Sequence, residues 1–480
     1  MDRPPASAKP VPSNHPPGAD PVTRTFVVLA GGETGARLLT FATTVILTRR
    51  LGPTAFGLLS VATAVRLYLV CMVDGGIDSI GMREAAIQPS FAHRVAPALL
   101  VVRTTVAIVL ALLVAIAGIA ILPQPDGALL AACTLTLFPL ALNVRWLLLG
   151  LGRTLPPALA RLTGEALVFI TVFVVLHDPG DVGLVPAAQV LGEGVAALLL
   201  AGVAARSLGP LPVRAAWKIA RPILHESRPL VFHALLGLII FNADVILLRA
   251  FRAPADAGYY AAAYLVIGFL INLGTVFYQS LLLGITRGEQ RATGGHDRYA
   301  HALGQVLLAG IPVAVGGVLL AAPLMQAIFG SAYHAASLPF AILMVSVPAS
   351  WLRNVAQAGQ VANRRSDALL KTSLVAAGTN LGLNLWFIPR YGPVGAASVT
   401  LVTEVLRTSI ALGWSRSIGL PGLTRRLWVR PLVGAGLMAA GLLALPTFPV
   451  WATVPAGIGL YALVVLPAGG LRRLRGSAES

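Results

Sequence analysis

The sequence predicts an all-α integral membrane protein with about 14 transmembrane helices, and its composition and patterning support this fold class. Of the 480 residues, 56% are hydrophobic and only 11% are charged, whereas soluble domains carry about 25% charged residues. The mean hydropathy is +0.79. The apolar residues also form runs of membrane-spanning length. These properties exclude a soluble enzyme, a disordered chain and a disulfide-rich secreted domain.

The apolar runs predict helices. Each contains about 20 residues, which is the length of helix that crosses a hydrocarbon core of about 30 Å, whereas barrel strands need about half that length. The predicted spans lie near residues 26–48, 57–77, 96–121, 128–149, 157–176, 184–205, 229–250, 259–284, 302–325, 336–357, 369–389, 394–415, 428–447 and 451–470.

The basic residues predict the orientation of the chain. With a cytoplasmic N-terminus, 27 of the 36 Lys and Arg residues lie in inner segments, five in outer loops and four within helices. Such an excess on one side follows the positive-inside rule, so both termini are predicted to be cytoplasmic. The net charge of +17 sits on an apolar chain, which indicates a membrane protein and no nucleic-acid partner.

An internal match indicates that one six-helix unit occurs twice. VILTRRLGPTAFGLL at residues 45–59 is matched by VILLRAFRAPADAGYY at residues 245–260. The match places Arg49 over Arg249, and the glycine after each turn over its counterpart. Parallel repeats with a site between them are common in secondary transporters.

The repeat and the composition together predict the domain organisation. The predicted segments are a disordered cytoplasmic tail at 1–22, a six-helix lobe at 23–206, a basic amphipathic linker at 207–228, a second six-helix lobe at 229–416, helices 13 and 14 at 417–471 and a cytoplasmic tail at 472–480.

Polar residues within the predicted helices are candidates for a binding site, because an Arg or Asp at a helix centre costs about 2.5–3.5 kcal/mol and needs a partner or water. Arg66 lies near the middle of helix 2 with no acid within one turn. Arg37 follows Glu33 by one turn in helix 1, and Arg407 follows Glu404 by three residues in helix 12. The other candidates are Glu165, Glu193, His233, Asn242 and Asp244.

The candidate arginines predict a polar cavity that accepts an anion. Arginine stays charged when desolvated, and its planar fork matches phosphate oxygens. Arg37, Arg66 and Arg407 therefore predict phosphate or pyrophosphate binding. Arg103 and Arg161 lie near cytoplasmic helix ends, where snorkelling to the headgroups is the expected behaviour.

The candidate acids have two interpretations. Carboxylates in a partly dry cavity can carry a coupling proton, and Glu193, Glu404 and Asp244 are the candidates for this role. Alternatively, they are counter-ions of arginines or hydrogen-bonded core groups. Pairs such as Glu33 and Arg37 would then neutralise each other inside the bundle.

The sequence contains no motif for catalysis or metal binding. GxxxxGK[ST], HExxH and Cys/His clusters with metal spacing are absent from it. Cys71 and Cys133 both lie in apolar runs, so no disulfide framework is predicted. We therefore expect no catalytic residue, no metal site and no cofactor.

Three patterns carry a resemblance to a known family. They are RRLGPTAFG at 49–57 with DGGID at 74–78, NADVILL at 242–248 with AGYYAAAY at 257–264, and NLGLNLWFIPRYGPVGAA at 380–397. The positions of the turn patterns are Arg49, Gly52, Pro53, Gly57, Asn384, Pro389, Gly392 and Gly395.

In these patterns the chain resembles the polysaccharide-biosynthesis flippases of the O-antigen type, in the multidrug/oligosaccharidyl-lipid/polysaccharide exporter superfamily. The resemblance spans predicted helices 1 to 12 and implies a MATE-like, V-shaped bundle of two six-helix lobes, followed here by a C-terminal helix pair. It implies a flippase, not an enzyme, which moves undecaprenyl-pyrophosphate-linked oligosaccharide to the outer leaflet of the bacterial cytoplasmic membrane. The long proline-rich tail and the scarcity of lysine, three against 33 arginines, depart from the family.

The resemblance also implies partners. These are membrane lipids, a coupling proton or sodium ion, a polysaccharide polymerase and a chain-length regulator, with lipopolysaccharide or exopolysaccharide as the final polymer. Family members have a cationic cavity, with which Arg37 and Arg66 agree. The alternatives are a multidrug or metabolite cation antiporter of the same superfamily, and a membrane polysaccharide polymerase or ligase, which generally needs a large outer loop.

Overall fold

The computed structural model of the protein describes residues 21–208, 216–289, 295–363, 366–444 and 449–465. All regular structure in these ranges is helical. Short 3-10 helices lie at Pro179–Gly183 and Ser331–Ala336. The α-helices are α1 (Pro21–Asp74), α2 (Ile77–Ile87), α3 (Pro89–Ile121), α4 (Asp126–Thr134), α5 (Leu137–Ala141), α6 (Arg145–Gly150), α7 (Leu155–Val175), α8 (Leu184–Leu208), α9 (Ala216–Phe251), α10 (Pro254–Glu289), α11 (Gly295–Leu319), α12 (Ala321–Phe329), α13 (Ser337–Ala362), α14 (Ser366–Ser417), α15 (Arg425–Ala444) and α16 (Val450–Val465).

Two helices are much longer than a single membrane crossing requires. α1 has 54 residues and α14 has 52, and straight helices of that length would extend about 80 Å at 1.5 Å per residue. Each is interrupted by a glycine with non-helical backbone, Gly52 with φ 68° and Gly392 with φ 55°. Glycine adopts positive φ at no steric cost. A proline follows each glycine and suits the first turn of the next helical segment.

The chain reverses at Gly52. Residues 40–47, before this glycine, and residues 66–70, after it, line the same cavity, so α1 consists of two arms lying side by side. Among the described residues, 11 helical stretches are long and apolar enough to cross a membrane, and Val450–Val465 is a shorter apolar helix. When the interrupted α1 and α14 are counted as two arms each, these stretches agree with the predicted 14 segments. The predicted all-α membrane fold is thus confirmed.

The fourth predicted span is not one helix. Residues 126–150 form α4, α5 and α6, with breaks after Thr134 and Ala141. At the second break the side chain of Asn143 accepts a hydrogen bond from the backbone N–H of Arg145 at 2.9 Å. The Leu140 carbonyl accepts one from Arg103 at 3.2 Å. Side chains therefore satisfy backbone groups that a continuous helix would pair internally.

The two copies of the repeated segment lie against each other. A Cβ on Gly57 would lie 1.9 Å from the carbonyl oxygen of Pro254, and a Cβ on Gly258 would lie 2.0 Å from that of Pro53. Only glycine permits this approach. The aligned glycines of the repeat thus make reciprocal contacts between the second arm of α1 and the start of α10.

These glycines define the two ends of the bundle. We call the end that holds Gly52, Gly57 and Gly258 the Gly52 end. The opposite end, where α1 stops, is the Asp74 end. There the Asp74 carboxylate accepts a hydrogen bond from the N–H of Gly76 at 3.2 Å, and a Cβ on Gly81 of α2 would lie 2.6 Å from the Trp146 ring.

Part of the predicted linker is helical. α9 begins at Ala216 and continues without interruption to Phe251, so residues 216–228 extend the seventh predicted helix. Residues 209–215 of the linker, residues 1–20 of the first predicted tail and the predicted tail at 472–480 lie outside the described residues. The boundaries of the two lobes therefore stay predictions.

Candidate functional site

A cavity of about 400 Å³ lies within the first half of the chain. The two arms of α1 form one side of it, and α5 to α8 form the other, with single residues from α2 and α3. Its charged lining consists of Arg66, Asp78, Arg103, Arg145, Arg161, Glu165 and Glu193. Four arginines and three carboxylates thus face one cavity between helices of membrane-spanning length.

Most of these arginines have acidic partners. Arg103 donates to Asp78 at 2.9 Å, and Arg161 lies 3.1 Å from Glu165. Arg145 lies 3.2 Å from Glu33, in the first arm of α1. These pairs offset the cost of placing three arginines inside the bundle.

Arg66 is the exception. It lies near the middle of the second arm of α1, and it makes no hydrogen bond or ion pair with the described part of the chain. Its Nε is buried and has no partner there. An unpaired guanidinium at membrane depth is costly unless water or a ligand contacts it. Arg66 therefore gives the cavity a guanidinium group that no described residue binds directly.

Two acceptors on α8 also line the cavity. Gln189 and Glu193 are four residues apart, so their side chains lie on one face of the helix. The Oε1 atom of Gln189 is buried without a hydrogen-bond partner among the described residues. Glu193 makes no hydrogen bond or ion pair with the part of the chain that the structure describes. The cavity thus offers two unpaired acceptors besides the unpaired donor of Arg66.

Arginines close the Gly52 end. Arg49 donates to the carbonyl oxygen of Ile328 at 2.8 Å and to that of Ala327, both in the last turn of α12. The adjacent Arg50 donates to the last carbonyls of α7, including that of Phe173 at 2.6 Å. Because helix C-termini leave carbonyls unpaired, each arginine caps a helix end.

A third arginine makes the reciprocal contact. Arg249, which the repeat aligns with Arg49, forms an ion pair with Asp126 at the start of α4. Arg49 therefore binds the second half of the chain and Arg249 binds the first. The crossed contacts hold the two halves together at the Gly52 end.

The family is established by the sequence. A family model described as "Polysaccharide biosynthesis protein" matches residues 22–282, which is more than half of the chain. The chain belongs to this family. A comparison of this polysaccharide biosynthesis protein with curated proteins gave no match.

Solved structures with the same fold are transporters and flippases. The polysaccharide biosynthesis protein is similar to the lipid II flippase MurJ in an inward closed conformation, with a TM-score of 0.73 and 13% identity over 91% of this chain and 98% of the other. It is also similar to an inward-facing multidrug resistance MATE family transporter of the MOP superfamily, with a TM-score of 0.61 and 15% identity over 82% and 98% of the chains. The outward-facing conformation of a multidrug resistance MATE family transporter is similar with a TM-score of 0.54 and 16% identity. This match covers 83% of this chain and 95% of the other.

These likenesses confirm the predicted MATE-like fold. The family model assigns the chain to the polysaccharide biosynthesis proteins, and its fold is the one seen in the flippase and transporter structures above. The candidate binding residues are the charged side chains, whose positions are described next.

The structure does not bring Arg37, Arg66 and Arg407 of this polysaccharide biosynthesis protein together. Arg37 is outside the cavity lining, and its side chain is 49% exposed. It lies 3.4 Å from Glu33 and donates to Asn272 of α10 at 2.8 Å. Arg37 thus lies between the halves of the chain, while Arg66 lies inside the first half. The single cavity shared by all three arginines is not formed in this conformation.

Arg407 belongs to a buried cluster in the second half. Glu404 is 2% exposed and lies between Arg407 and Arg353, with Arg353 at 3.2 Å. Ser350 also donates to Glu404, at 2.7 Å. We call these four residues the Glu404 cluster. Its two arginines and one carboxylate leave it with a net positive charge.

Asp244 lies in a separate polar network. It is fully buried and accepts hydrogen bonds from Tyr260 at 2.5 Å, Asn384 at 2.7 Å and Thr400 at 3.0 Å. All three donors are neutral, so the described residues supply no ion-pair partner for this carboxylate. The nearby Asn242 donates instead to the Leu238 carbonyl at 3.4 Å.

The remaining predicted residues lie apart from these networks or support the turns. His233 is exposed on α9. Gly392 stands in the interruption of α14, close to Pro389, and a Cβ on Gly395 would lie 2.7 Å from the Phe387 carbonyl oxygen. The glycines of the family patterns thus allow close turns at the Gly52 end.

The prediction that Arg103 and Arg161 snorkel to the headgroups is wrong. Arg103 is 2% exposed and paired with Asp78, and Arg161 lines the cavity beside Glu165. Helix-end position suggested snorkelling, but Arg103 is held by Asp78 of the neighbouring α2, and Arg161 pairs with Glu165 one turn along its own helix.

Sequence reasoning also missed two arginines. Arg145 lines the cavity because the chain breaks at Asn143, which no helical pattern indicates. Arg145 and Arg353 both lie within predicted spans, at 128–149 and 336–357. A charge inside a predicted span was therefore an available signal for both arginines.

Proposed function

We propose that the protein is a flippase that moves undecaprenyl-pyrophosphate-linked oligosaccharide units from the inner to the outer leaflet of the bacterial cytoplasmic membrane by alternating access. Its family and its likeness to a lipid II flippase support a lipid-linked substrate. The observation that carries the proposal is Arg66, which lines a cavity between the helices without a hydrogen-bond or ion-pair partner among the described residues. The exported units would then be available to a polysaccharide polymerase and a chain-length regulator.

The cavity suits a pyrophosphate. Arg66 offers its whole guanidinium, and Arg145 and Arg161 each keep a buried Nε that is unbonded within the described residues. Those two arginines can therefore donate to phosphate oxygens without leaving their acidic partners. Charge-assisted hydrogen bonds of this kind are about twice as strong as neutral ones.

Arg37 lies on the route to the cavity. Its half-exposed guanidinium holds Asn272 across the seam between the halves. An arriving pyrophosphate would replace Asn272 as the partner of Arg37 and then pass to Arg66. The prenyl tail stays in the lipid throughout this movement.

The closed Gly52 end defines the direction of transport. With the predicted orientation, the Asp74 end faces the cytoplasm and receives the sugar-pyrophosphate head while Arg49 and Arg249 keep the other end closed. Rocking of the halves then opens the Gly52 end. Outward movement of an anionic head is favoured by about 2.3 kcal/mol per charge per 100 mV.

Replacing Arg66 with alanine should lower export at least tenfold. The loss of charge-assisted hydrogen bonds worth about 1.5–3 kcal/mol corresponds to roughly 10-fold or more in affinity. Arg66→Lys should retain part of the activity, because it keeps the charge but not the planar fork. The measurement is complementation of a deletion strain, scored by surface polymer and by oxidation of outer-leaflet lipid-linked sugars with impermeant periodate.

Arg390→Ala is the matched control. Arg390 is a surface arginine that contacts the carbonyl and ring of Trp386, so its loss should leave export unchanged. Wild-type export by the Arg66→Ala protein, at equal membrane abundance, would contradict the proposal. Accumulation of flipped but unjoined units would instead indicate a ligase.

We further propose that Asp244 couples transport to a proton or sodium gradient. Glu404 is held by two arginines, whereas only neutral donors surround Asp244. A proton or a small cation can therefore bind there without displacing an existing ion pair. Asp244 also bridges α9, α10 and α14 through its hydrogen bonds, so its occupancy can affect how these helices pack.

Asp244→Asn should remove the dependence of export on the ion gradient. The amide keeps the size and most hydrogen bonds of the side chain but binds no proton or cation. Export by the variant would then respond to the membrane potential alone, measured in vesicles with imposed pH, sodium or potential gradients. Unchanged stimulation of the variant by a proton or sodium gradient would show that coupling lies elsewhere.

A further inference from the structure

The cavity has a second polar face. Whereas Arg66 is a cationic hydrogen-bond donor, this face consists of hydrogen-bond acceptors. Gln189 and Glu193 both line it from α8, and neither the Gln189 Oε1 atom nor the Glu193 carboxylate has a partner among the described residues. A buried acceptor without a partner costs about 1–3 kcal/mol. The buried Gln189 Oε1 atom therefore needs a donor from a ligand or water, and the half-buried Glu193 carboxylate beside it is unpaired within the described residues.

The chemistry of this face excludes phosphate as its ligand. An ionised phosphate has acceptor oxygens only, and the Glu193 carboxylate would repel it. The group that binds here must carry O–H or N–H donors. A carbohydrate has such donors at almost every carbon, and a carboxylate with an adjacent amide can accept from two of them.

The two acceptors line the same cavity as Arg66. Glu165 interacts electrostatically with both Arg66 and Glu193, so the anion-binding and acceptor groups belong to one space. A pyrophosphate at Arg66 would bring the sugar directly attached to it against α8. The three charged pairs around them leave no other unpaired carboxylate in the described cavity lining.

We propose that Gln189 and Glu193 form a subsite for the sugar that is attached to the pyrophosphate, accepting hydrogen bonds from its hydroxyl or amide groups. This inference rests on the proposed function, and it adds selection of the sugar to binding of the phosphate. A site built to accept hydrogen bonds discriminates against ligands that lack the donor, because its own groups are then left unpaired. The subsite therefore favours glycosylated lipid over the bare carrier.

Binding of defined lipids tests the subsite. The probes are undecaprenyl pyrophosphate and its glucosyl, galactosyl and N-acetylglucosaminyl derivatives, titrated against the full-length protein in nanodiscs. We expect the wild-type protein to bind at least one glycosylated lipid about tenfold more tightly than the bare pyrophosphate, as one charged hydrogen bond predicts.

The variants separate the two faces of the cavity. Gln189→Met combined with Glu193→Met keeps side-chain length but removes the acceptors, so it should abolish the tenfold preference without weakening binding of the bare lipid, which loses a repelling carboxylate. Arg66→Ala should weaken every probe. Leu191→Met is the control for an added methionine, because Leu191 lies on the same helix, is exposed and is outside the cavity lining.

Different failures have different meanings. Equal affinity of the wild-type protein for bare and glycosylated lipids would overturn the subsite and leave the flippase proposal standing. Equal weakening of all probes in the double methionine variant would also overturn it, because the two residues would then serve phosphate binding or packing. Absence of binding for every probe, with no effect of Arg66→Ala, would overturn the proposed function itself.

Discussion

Replacing Glu404 with leucine is expected to prevent stable accumulation of the protein. Glu404 is the carboxylate between Arg353 and Arg407 in the Glu404 cluster. Without it, two guanidinium groups stay buried side by side with no counter-charge. Breaking a buried ion pair in this way costs about 3–5 kcal/mol, a large part of the 5–15 kcal/mol typical of protein stability. The measurements are detergent-extracted monodisperse protein and its Tm.

A triple variant distinguishes charge from packing. Arg353→Met, Glu404→Leu and Arg407→Met together remove the whole ionic group, and apolar replacement of a buried ion cluster is often neutral. The triple variant should therefore accumulate far better than Glu404→Leu alone. Equal instability of the two proteins would show that shape, not charge, makes the Glu404 cluster necessary. Retained export by the triple variant would also show that Arg407 does not bind the pyrophosphate.

Gly258→Ala is expected to open the Gly52 end. The new Cβ would lie 2.0 Å from the backbone carbonyl oxygen of Pro53. No rotamer change relieves a contact between a Cβ and a backbone oxygen, so the start of α10 must move away from the second arm of α1. Spin labels at His177 and Ser331, two exposed residues at the Gly52 end of opposite halves, should move apart in a background without Cys71 and Cys133.

Gly268→Ala is the matched control for this opening. Gly268 lies on the same helix, and a Cβ there would have no atom within 4 Å. Its distance distribution should match that of the wild-type protein. An unchanged distribution in Gly258→Ala would contradict the assignment of Gly57 and Gly258 as the closing contact.

The helices could be predicted from the sequence, but the breaks within the fourth predicted span could not. Hydropathy identifies membrane-length runs because each must bury about 20 residues in lipid. The turn at Gly52 is also visible, since glycine followed by proline between two apolar runs is a turn signal. The breaks of the fourth span depend on distant groups, such as Arg103 donating to the Leu140 carbonyl. Periodicity along one segment contains no information on such partners.

The same limit applies to the charged residues. Pairs within one helix turn, such as Glu33 with Arg37 and Arg161 with Glu165, follow from spacing alone and are present. The partners of Arg145 and Arg353 are 112 and 51 residues away, so spacing does not reveal them. The sequence shows that no acidic residue lies within one helical turn of Arg66. In the structure, no acidic residue from a distant part of the described chain forms an ion pair with it either.

Arg49 and Arg50, which cap helix ends, affect the free energy needed to open the Gly52 end. Arg49 and Arg50 bind carbonyls at a rim of the bundle, and both side chains remain partly exposed. When the rim parts, water can take over those carbonyls and the freed guanidinium groups, although a hydrogen bond to a charged group is worth about 1.5–3 kcal/mol. Because hydration replaces each of these bonds, parting of the rim leaves no donor or acceptor unpaired, and it costs less than breaking the same bonds in a dry interior.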